Sequence, residues 1–275
     1  LFSGILGMNT FRPRLIAVDM DGTILNSSSE LSARTRNALR SAISSGITVV
    51  TATGRMYPSA LPVIREVGIT APCIFYNGAV VRDPLSGKTI HERGVGRELT
   101  AEVLSFYRQQ GWYIQVYSDD RLYVTDSSDP RSRFYENISK IRPVSVGEKF
   151  WDLDVDSTKL LGIALEEDDF RLMAERTVSR FGGRIYTATS WGAFVEMTHP
   201  DVNKAKGLAI VAERLGIDRC DVLAIGDGSN DREMIGWAGY GVAMGNSPTD
   251  VRAAADETTL DNDSDGAAVI VERYL

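Results

Sequence analysis

The sequence of 275 residues predicts an α/β protein, because strand-like apolar runs alternate with helical patterns in its first and last thirds. In the first third, a β-branched run at 47–51 follows apolar residues at helical spacing over 31–45. The middle third repeats a helix followed by paired strands, a pattern typical of antiparallel sheets. The sequence therefore predicts a Rossmann-like parallel-sheet core with helices on both faces and an inserted α+β domain.

The first third is punctuated by residues that end helices and strands. The apolar run Leu15-Ile16-Ala17-Val18 is the first predicted strand. Gly46 follows the first helix, and Gly68 follows the second, at positions where glycine commonly ends a helix. The run at 73–76, closed by the turn dipeptide Asn77-Gly78, is predicted to be the third strand of the same parallel sheet.

The middle of the chain is predicted to form two similar helix-and-hairpin units with one additional strand. The predicted helices are 99–110 and 168–181, and the predicted strands are 112–117, 121–125, 158–165, 184–189 and 192–198. The segment Asp126–Ser132 is polar and is predicted to be a loop.

The last third returns to the α/β pattern, with an apolar helix face at 208–215 and a buried strand at 222–225. We therefore predict that the parallel-sheet core is built from both ends of the chain. Its first segment is 1–93 and its second is 198–275, with the inserted domain at 94–197.

Composition excludes several classes of function. The net charge of −7 argues against a general nucleic-acid binder, although a local cationic site can still bind a phosphorylated small molecule. No apolar run approaches the roughly 20 residues that span a bilayer, so we expect a soluble cytoplasmic protein. Cys73 and Cys220 are predicted to be buried free thiols. His91 and His199 lack metal-ligand spacing, which disfavours histidine-based catalysis.

The stretch "VDMDGT" places two carboxylates, Asp19 and Asp21, directly after the first strand. In extended chain these residues point to the same side, where two anions repel each other. A hard divalent cation with oxygen ligands would offset that repulsion. The alternative is an ordinary polar turn, because Asp-Gly is common in turns.

Two further strand ends carry similar polar clusters. Asp227, Asn230 and Asp231 in "GDGSND" follow the strand at 222–225, and Thr53-Gly54-Arg55 follows the strand at 47–51. Ligands of open α/β sheets bind outside the carboxyl ends of the strands. We therefore expect these clusters to converge on one crevice.

The motifs "DMDGT", "TATGR", "NGA", "VNKAKG" and "GDGSND", in this order, resemble those of the haloacid-dehalogenase-like phosphatases. The long insertion between "NGA" and "VNK" resembles the C2B cap of the Cof-type members. The resemblance extends from Leu15 to Leu275. It implies a Mg²⁺-dependent phosphatase that hydrolyses small phosphorylated metabolites, such as sugar phosphates, through an aspartyl-phosphate intermediate.

The resemblance also implies a role for individual residues. Asp19 would be the nucleophile, and Asp21 would protonate the leaving oxygen and then activate water. Asp19 and Asp227 would form the Mg²⁺ site together with the backbone carbonyl of Asp21, and Asp231, which is counted with the metal site, would orient the metal shell or Lys204. The residues implied to bind the substrate or its phosphoryl group are Met20, Thr53, Gly54, Arg55, Asn77, Lys204 and Asn230. Thr53 and Lys204 are also implied to be catalytic, together with Asp19 and Asp21.

The sequence departs from the family pattern at Ala205, where glycine often follows the motif lysine. Lys206 is therefore a second candidate for the lysine that neutralises the phosphate. We favour Lys204, because its distance to Leu215-Gly216-Ile217 matches the family pattern.

Two alternative functions remain open: a phosphomutase of the same fold, and a non-enzymatic phospho-receiver or metabolite-sensing module. The expected partner is a small phosphorylated metabolite rather than nucleic acid or a membrane, and the expected state is a monomer or weak homodimer. Trp191 and Phe194 are candidates either for substrate contact or for packing. Met8 is a candidate for the original start of the chain.

Overall fold

The computed structural model describes residues 11–190 and 192–275. Met8 and Trp191, on which two of the predictions fall, lie outside the described residues. The strands are β1 Leu15–Val18, β2 Thr48–Thr51, β3 Cys73–Phe75, β4 Val80–Arg82, β5 Thr89–Glu92, β6 Ile114–Ser118, β7 Arg121–Val124, β8 Val144–Ser145, β9 Lys159–Ile163, β10 Tyr186–Ser190, β11 Phe194–Thr198, β12 Val222–Gly226, β13 Tyr240–Ala243 and β14 Glu257–Thr258. The helices are α1 Ala33–Ser44, α2 Tyr57–Val67, α3 Arg97–Gln110, α4 Pro130–Ser139, α5 Glu167–Phe181, α6 Lys204–Leu215, α7 Arg232–Trp237, α8 Thr249–Ala254 and α9 Gly266–Glu272.

The contacts divide the chain into two compact units. The first unit combines the chain up to Val50 with Val211–Leu275, and the second is Thr51–Ile210. The fold class is confirmed, because a parallel sheet with helices occurs together with a separate antiparallel sheet. The insertion boundaries at 94 and 197 stay a prediction.

The first unit is built on a five-stranded sheet with the order β14-β13-β12-β1-β2. β1, β12, β13 and β14 pair in parallel, and the register runs from Leu15 opposite Val222 to Val18 opposite Ile225. All four residues of β1 and all five of β12 are buried, as expected for strands that are covered on both faces. This register brings the carboxyl ends of β1 and β12 to the same level.

The second unit contains a six-stranded sheet with the order β10-β11-β9-β6-β7-β8. Its central pairs, including β6 with β9 and β9 with β11, are antiparallel, as predicted. One face carries Ile114, Val116, Leu160, Val195 and Met197, which pack with residues of α3 and α5 in a single apolar cluster. Gly162 lies on this face, where a Cβ would come within 2.7 Å of Met173 Sδ and 2.8 Å of a Tyr107 ring carbon.

The strand predicted at 73–76 keeps a parallel contact with the residues that follow β2, and it makes its longer pairing elsewhere. β3 joins β4 and β5 in a three-stranded antiparallel sheet, and its parallel contact is the isolated bridge between Ala52 and Ile74. The Asn77-Gly78 turn reverses the chain, so that Phe75 pairs with Val80. A turn this tight joins β3 and β4 as a hairpin, and the other edge of β3 makes the parallel contact with Ala52.

The polar segment Asp126–Ser132 is not entirely a loop, because α4 begins at Pro130. The Asp129 carboxylate accepts a hydrogen bond from the Arg131 N–H at 2.8 Å and caps the helix. Proline at the first helical position loses no intrahelical hydrogen bond. The prediction of buried cysteines holds for Cys73 and is wrong for Cys220, which is exposed within the short 3₁₀ turn Arg219–Asp221.

Within the described part of the chain, no helix has both the length and the apolar character needed to cross a membrane.

Candidate active site

Asp19 and Asp227 stand at the carboxyl ends of two paired strands of the first unit. The Asp19 N–H donates to the Ile225 carbonyl at 2.9 Å, so the pairing of β1 with β12 continues one residue beyond Val18. Asp227 follows Gly226, the last residue of β12. Asp19 is only 4% exposed. The sheet itself therefore holds both acids at one edge.

Three carboxylates come together at this edge. Asp19, Asp227 and Asp231 each offer an oxygen, and these oxygens lie within 4.8 Å of one another. Asp19 and Asp231 are buried and Asp227 is half-buried. Three anions at this separation repel one another, and a hard divalent cation with oxygen ligands would offset that repulsion. The donor set therefore fits Mg²⁺.

The turn after β12 orients Asp231. Its Oδ2 accepts hydrogen bonds from the backbone N–H of Asp227 at 3.1 Å and of Gly228 at 2.9 Å. A Cβ on Gly226 would lie 2.5 Å from the Asp231 Cβ, so this approach needs glycine. Gly226 therefore leaves room for the Asp231 side chain, and Gly228 donates a backbone hydrogen bond to its carboxylate.

Two polar side chains hold the Asp227 carboxylate. The Thr23 hydroxyl donates to Oδ1 at 3.0 Å, and the Asn246 amide Nδ2 donates to Oδ2 at 3.1 Å. The same Nδ2 also donates to the Gly22 carbonyl at 2.9 Å. The sequence reasoning did not include Asn246. Its position shortly after β13 could have identified it as a candidate, because the other polar groups of the site also follow strands of this sheet.

Met20 and Asp21 occupy the turn that follows β1. The Met20 carbonyl accepts from the N–H groups of Thr23, Ile24 and Leu25, and the Met20 side chain is fully buried. The Asp21 side chain is half-buried and is not one of the three clustered carboxylates. Its implied metal ligand is its backbone carbonyl, and this role stays a prediction, as does substrate contact by Met20.

In the second unit, the residues Thr53–Arg55, here called the Thr53 turn, are tied to the residues Tyr76–Gly78, here called the Asn77 turn. The Asn77 N–H donates to the Thr53 carbonyl at 3.0 Å, and the Tyr76 N–H donates to the Arg55 carbonyl at 3.1 Å. The Thr53 hydroxyl accepts from the Arg55 N–H at 3.1 Å. A hydroxyl that accepts one bond keeps its proton for donation to a ligand oxygen.

Asn77 has a left-handed backbone (φ 58°, ψ 25°), which asparagine tolerates better than most residues. Its Nδ2 donates to Glu196 Oε2 at 3.1 Å, and the Lys159 ammonium donates to the same oxygen at 2.7 Å. The sequence reasoning missed Glu196 and Lys159. Both are charged residues within otherwise apolar buried strands, and that contrast was the available signal.

Lys204 and Lys206 differ sharply in environment. Lys204, the first residue of α6, has no exposed surface. The Lys206 side chain is 53% exposed and donates to Asp201 at 3.2 Å. Asn203 Oδ1 accepts from the Lys206 N–H at 2.8 Å and so caps the helix that begins at Lys204. These environments favour the choice of Lys204, whose catalytic role stays a prediction.

The start of α6 lies against the Asn77 turn. A Cβ on Gly78, whose φ is +105°, would lie 2.2 Å from the Asn203 carbonyl oxygen. The second unit therefore brings together three motifs that are far apart in sequence: "TATGR", "NGA" and "VNKAKG". Arg55 and Asn230 are half-buried, and their substrate contacts stay predictions.

Other candidates are part of the packing. Phe194 is 4% exposed and contacts the rings of Phe134 and Tyr135, with centroids 6.0 Å and 5.6 Å away. Burial and the nearby Arg93 lower the pKa of His199, and its Nδ1 accepts from the Asp201 N–H at 3.0 Å. His199 is therefore held in a local turn.

The comparisons with known proteins agree with this geometry. The family model described as haloacid dehalogenase-like hydrolase matches residues 16–271. Phosphatase YwpJ of Bacillus subtilis is 28% identical over 287 residues, which cover 95% of this chain and all of YwpJ. YitU of the same organism is named a 5-amino-6-(5-phospho-D-ribitylamino)uracil phosphatase. It is 30% identical, and the match covers 96% of this chain and 98% of YitU.

Solved structures resemble most of the chain. A haloacid dehalogenase-like hydrolase from Bacteroides thetaiotaomicron is 30% identical with a TM-score of 0.87, covering 96% of this chain and all of its own. A second such hydrolase, from B. subtilis, is 27% identical with a TM-score of 0.82, and the match covers 95% of this chain and all of that one. The chain therefore belongs to the haloacid dehalogenase-like hydrolases, as a Cof-type phosphatase.

Proposed function

We propose that this phosphatase hydrolyses phosphate monoesters of small metabolites, such as sugar phosphates, through an aspartyl-phosphate on Asp19 with Mg²⁺ as its metal. The observation that carries the proposal is the cluster of Asp19, Asp227 and Asp231, whose oxygens lie within 4.8 Å of one another. Such a cluster is costly unless a cation or a proton neutralises it.

The carboxylates of Asp19, Asp227 and Asp231 would hold the metal. Few protein oxygens are offered, which suits Mg²⁺ because this ion keeps several waters and binds substrate phosphate oxygens. When bound, the metal supplies positive charge that lets an anionic nucleophile approach an anionic phosphoryl group. Thr23 and Asn246 would keep the Asp227 carboxylate in place, since each donates to one of its oxygens.

In the first step, an oxygen of the Asp19 carboxylate attacks phosphorus and the bond from phosphorus to the ester oxygen breaks. Asp21 donates its proton to that leaving oxygen, so the alcohol departs neutral. A carboxylate suits the nucleophilic role because it is ionised near neutral pH without assistance.

In the second step, Asp21 takes a proton from a water molecule, whose oxygen attacks the phosphorus of the aspartyl-phosphate. The bond from phosphorus to Asp19 then breaks, which releases inorganic phosphate and regenerates the Asp19 carboxylate. Asp21 returns to its protonated form and is ready for the next ester. Over one cycle Asp21 thus gives one proton to the leaving alcohol and regains one from water, while Asp19 only forms and breaks its bond to phosphorus.

Thr53, Gly54, Lys204 and Asn230 are proposed to bind the phosphoryl oxygens. The Thr53 hydroxyl accepts from Arg55 N–H, which leaves its proton for a phosphoryl oxygen. Residues 94–197 are proposed to act as a cap that excludes water and selects the leaving group. Arg55 and Asn77 are proposed to contribute to substrate binding.

The substrate is proposed only as a class. YitU is named a 5-amino-6-(5-phospho-D-ribitylamino)uracil phosphatase, whereas a relative from Methanothermobacter thermautotrophicus, 28% identical, is named a phosphoglycolate phosphatase. Relatives of similar sequence identity are thus named for substrates that differ in their leaving groups. The cytoplasm stays the predicted location.

The test measures phosphate release from an aryl phosphate and from a metabolite panel. We expect release with Mg²⁺, none in excess chelator, and none with Asp19→Asn. Asp21→Asn keeps the nucleophile but lacks the base, so acid-quenched mass spectrometry should find this variant phosphorylated. Release without an added bisphosphate separates a hydrolase from a mutase. A wild-type chain that releases no phosphate from any ester would contradict the proposal.

A further inference from the structure

Lys159 and Glu196 form a buried ion pair on neighbouring strands of the six-stranded sheet. Their side chains are 5% and 12% exposed, and the ammonium lies 2.7 Å from Glu196 Oε2. Removing a charged pair from water is costly, and such a pair often contributes little to stability. Its place on β9 and β11 therefore calls for an explanation other than packing.

The pair lies on the sheet face opposite the α3 and α5 cluster. Leu160, Val195 and Met197 belong to that cluster, and side chains of a strand alternate between faces. Lys159 and Glu196 consequently project from the other face, where the Lys159 ammonium lies 5.4 Å from the Tyr117 ring centroid. Burial raises the pKa of Tyr117 well above its usual range, so the neutral phenol provides no counter-charge.

Glu196 reaches from this face to the Asn77 turn. One of its oxygens accepts from both the Lys159 ammonium and the Asn77 amide. A carboxylate can only accept, so it fixes which end of the Asn77 amide faces it. The oxygen end of that amide is then directed toward Gly54, where a Cβ would lie 2.9 Å from Asn77 Oδ1.

The Thr53 turn depends on this arrangement. Asn77 holds the Thr53 carbonyl through its own N–H at 3.0 Å, and its side chain lies against Gly54. Thr53 and Gly54 are the groups of this unit proposed to bind phosphoryl oxygens. Whatever orients Asn77 therefore orients the Thr53 turn.

We propose that Glu196 is a positioning residue for the Thr53 turn, acting through Asn77, and that Lys159 neutralises Glu196 so that phosphate binding is not opposed by its negative charge. This inference rests on the proposed function for the identity of the anion. Glu196 and Lys159 would therefore affect the affinity for phosphate rather than the rate of bond breaking.

The two charges have separable effects. Lys159→Met leaves the Glu196 carboxylate without its partner, which adds repulsion toward an incoming phosphate. Lys159→Met with Glu196→Gln removes both charges, while the glutamine oxygen can still accept from the Asn77 amide. Replacing both members of a buried pair is usually far better tolerated than removing one.

The experiment compares these variants in the full chain with Mg²⁺ present. Competitive inhibition by inorganic phosphate reports affinity, and KM and kcat are measured for an aryl phosphate. Lys159→Met should raise the inhibition constant and KM by about tenfold, the scale of one charged hydrogen bond, and change kcat much less. The double variant should return both constants to within about threefold of wild type.

Arg184→Met is the control for loss of a surface ion pair in the same unit. Arg184 pairs through two bonds with Glu102 of α3, on the helix side of the same unit. This control should leave phosphate affinity unchanged. Thermal melting identifies any variant that fails to fold. If Lys159→Met does not fold, Lys159→Met with Glu196→Ala removes both charges and also the acceptor from Asn77, so it should show a rise in KM, with a smaller change in kcat, that Lys159→Met with Glu196→Gln does not show.

Equal phosphate affinity in wild type and Lys159→Met would overturn the inference, as would a double variant no better than the single one. These outcomes are distinct from failure of the proposed function, in which the wild-type chain itself releases no phosphate. In that case, calorimetric titration of inorganic phosphate into wild type and Lys159→Met still tests the pair, and equal affinities count against it.

Discussion

A Cβ added to Gly22 would lie 2.3 Å from Oδ2 of Asp227, although the two residues are far apart in sequence. Gly22 also has φ +79°, a conformation that side chains rarely adopt. The carbonyl of Gly22 and Oδ2 of Asp227 both accept from the Asn246 amide. The turn after β1 and the turn after β12 are therefore fitted to each other around one carboxylate.

Gly22→Ala should displace the Asp227 carboxylate and weaken Mg²⁺ activation. The left-handed backbone alone costs about 1–2 kcal/mol for a side chain. Gly46→Ala is the matched control, because Gly46 has φ +87° and nothing within 4 Å of its Cβ position. Both variants should lose stability in thermal melts, while only Gly22→Ala should require more Mg²⁺ for half-maximal activity. Equal Mg²⁺ requirements would count against the carboxylate cluster as the metal site.

Asn246→Ala should raise the Mg²⁺ concentration for half-maximal activity by about 10–100-fold, the usual cost of losing a partner that orients a metal ligand. The amide holds one oxygen of Asp227, and Thr23 holds the other. Thr23→Val should act in the same direction, because it removes the second donor at nearly constant shape. Titration of activity with Mg²⁺ measures both variants. An unchanged titration for Asn246→Ala would show that Asp227 needs no such support.

Lys204→Ala should lower kcat/KM by at least about 100-fold, the scale for loss of a preorganised charge at the reacting group. Lys206→Ala should stay within about twofold of wild type, because its exposed pair with Asp201 contributes little. Steady-state kinetics on an aryl phosphate separate the two. The reverse ranking would place the motif lysine at 206.

The two cysteines should differ in reactivity toward an alkylating reagent. Burial raises the pKa of Cys73 to about 11, so at pH 8 its thiol is protonated as well as inaccessible. Cys220 is exposed. Mass spectrometry after brief alkylation should find label at Cys220 alone, and denaturant should make Cys73 reactive. Equal labelling of both thiols in the native protein would contradict the burial of β3.

The parts of the fold that follow from local pattern were predictable from the sequence. Apolar runs and the glycines that end helices predicted β1, α1 and β12 to within a few residues. The polar residues at strand ends predicted that Asp19, Asp227 and Asp231 lie close together. Periodicity does not encode partner choice, so the antiparallel pairing of β3 with β4 was not predicted. Capping at Asp129 turned part of a polar segment into a helix.

Contacts between distant residues were the part that pattern could not supply. Asn77 and Glu196 are 119 positions apart, and neither residue type alone signals the other. Asn246 likewise acts through a carboxylate 19 positions away. Such partners depend on strand order and on rotamers, which the spacing of residues along one chain does not specify.

The two faces of the six-stranded sheet are subject to different evolutionary constraints. On the face with Leu160 and Val195, any change of side-chain volume disturbs the close packing against α3 and α5. On the face with Lys159 and Glu196, a change disturbs a charge balance that a second change can restore. Positions 159 and 196 should therefore change together in descendants of this gene. Each substitution on the other face should instead conserve the size of the side chain that it replaces.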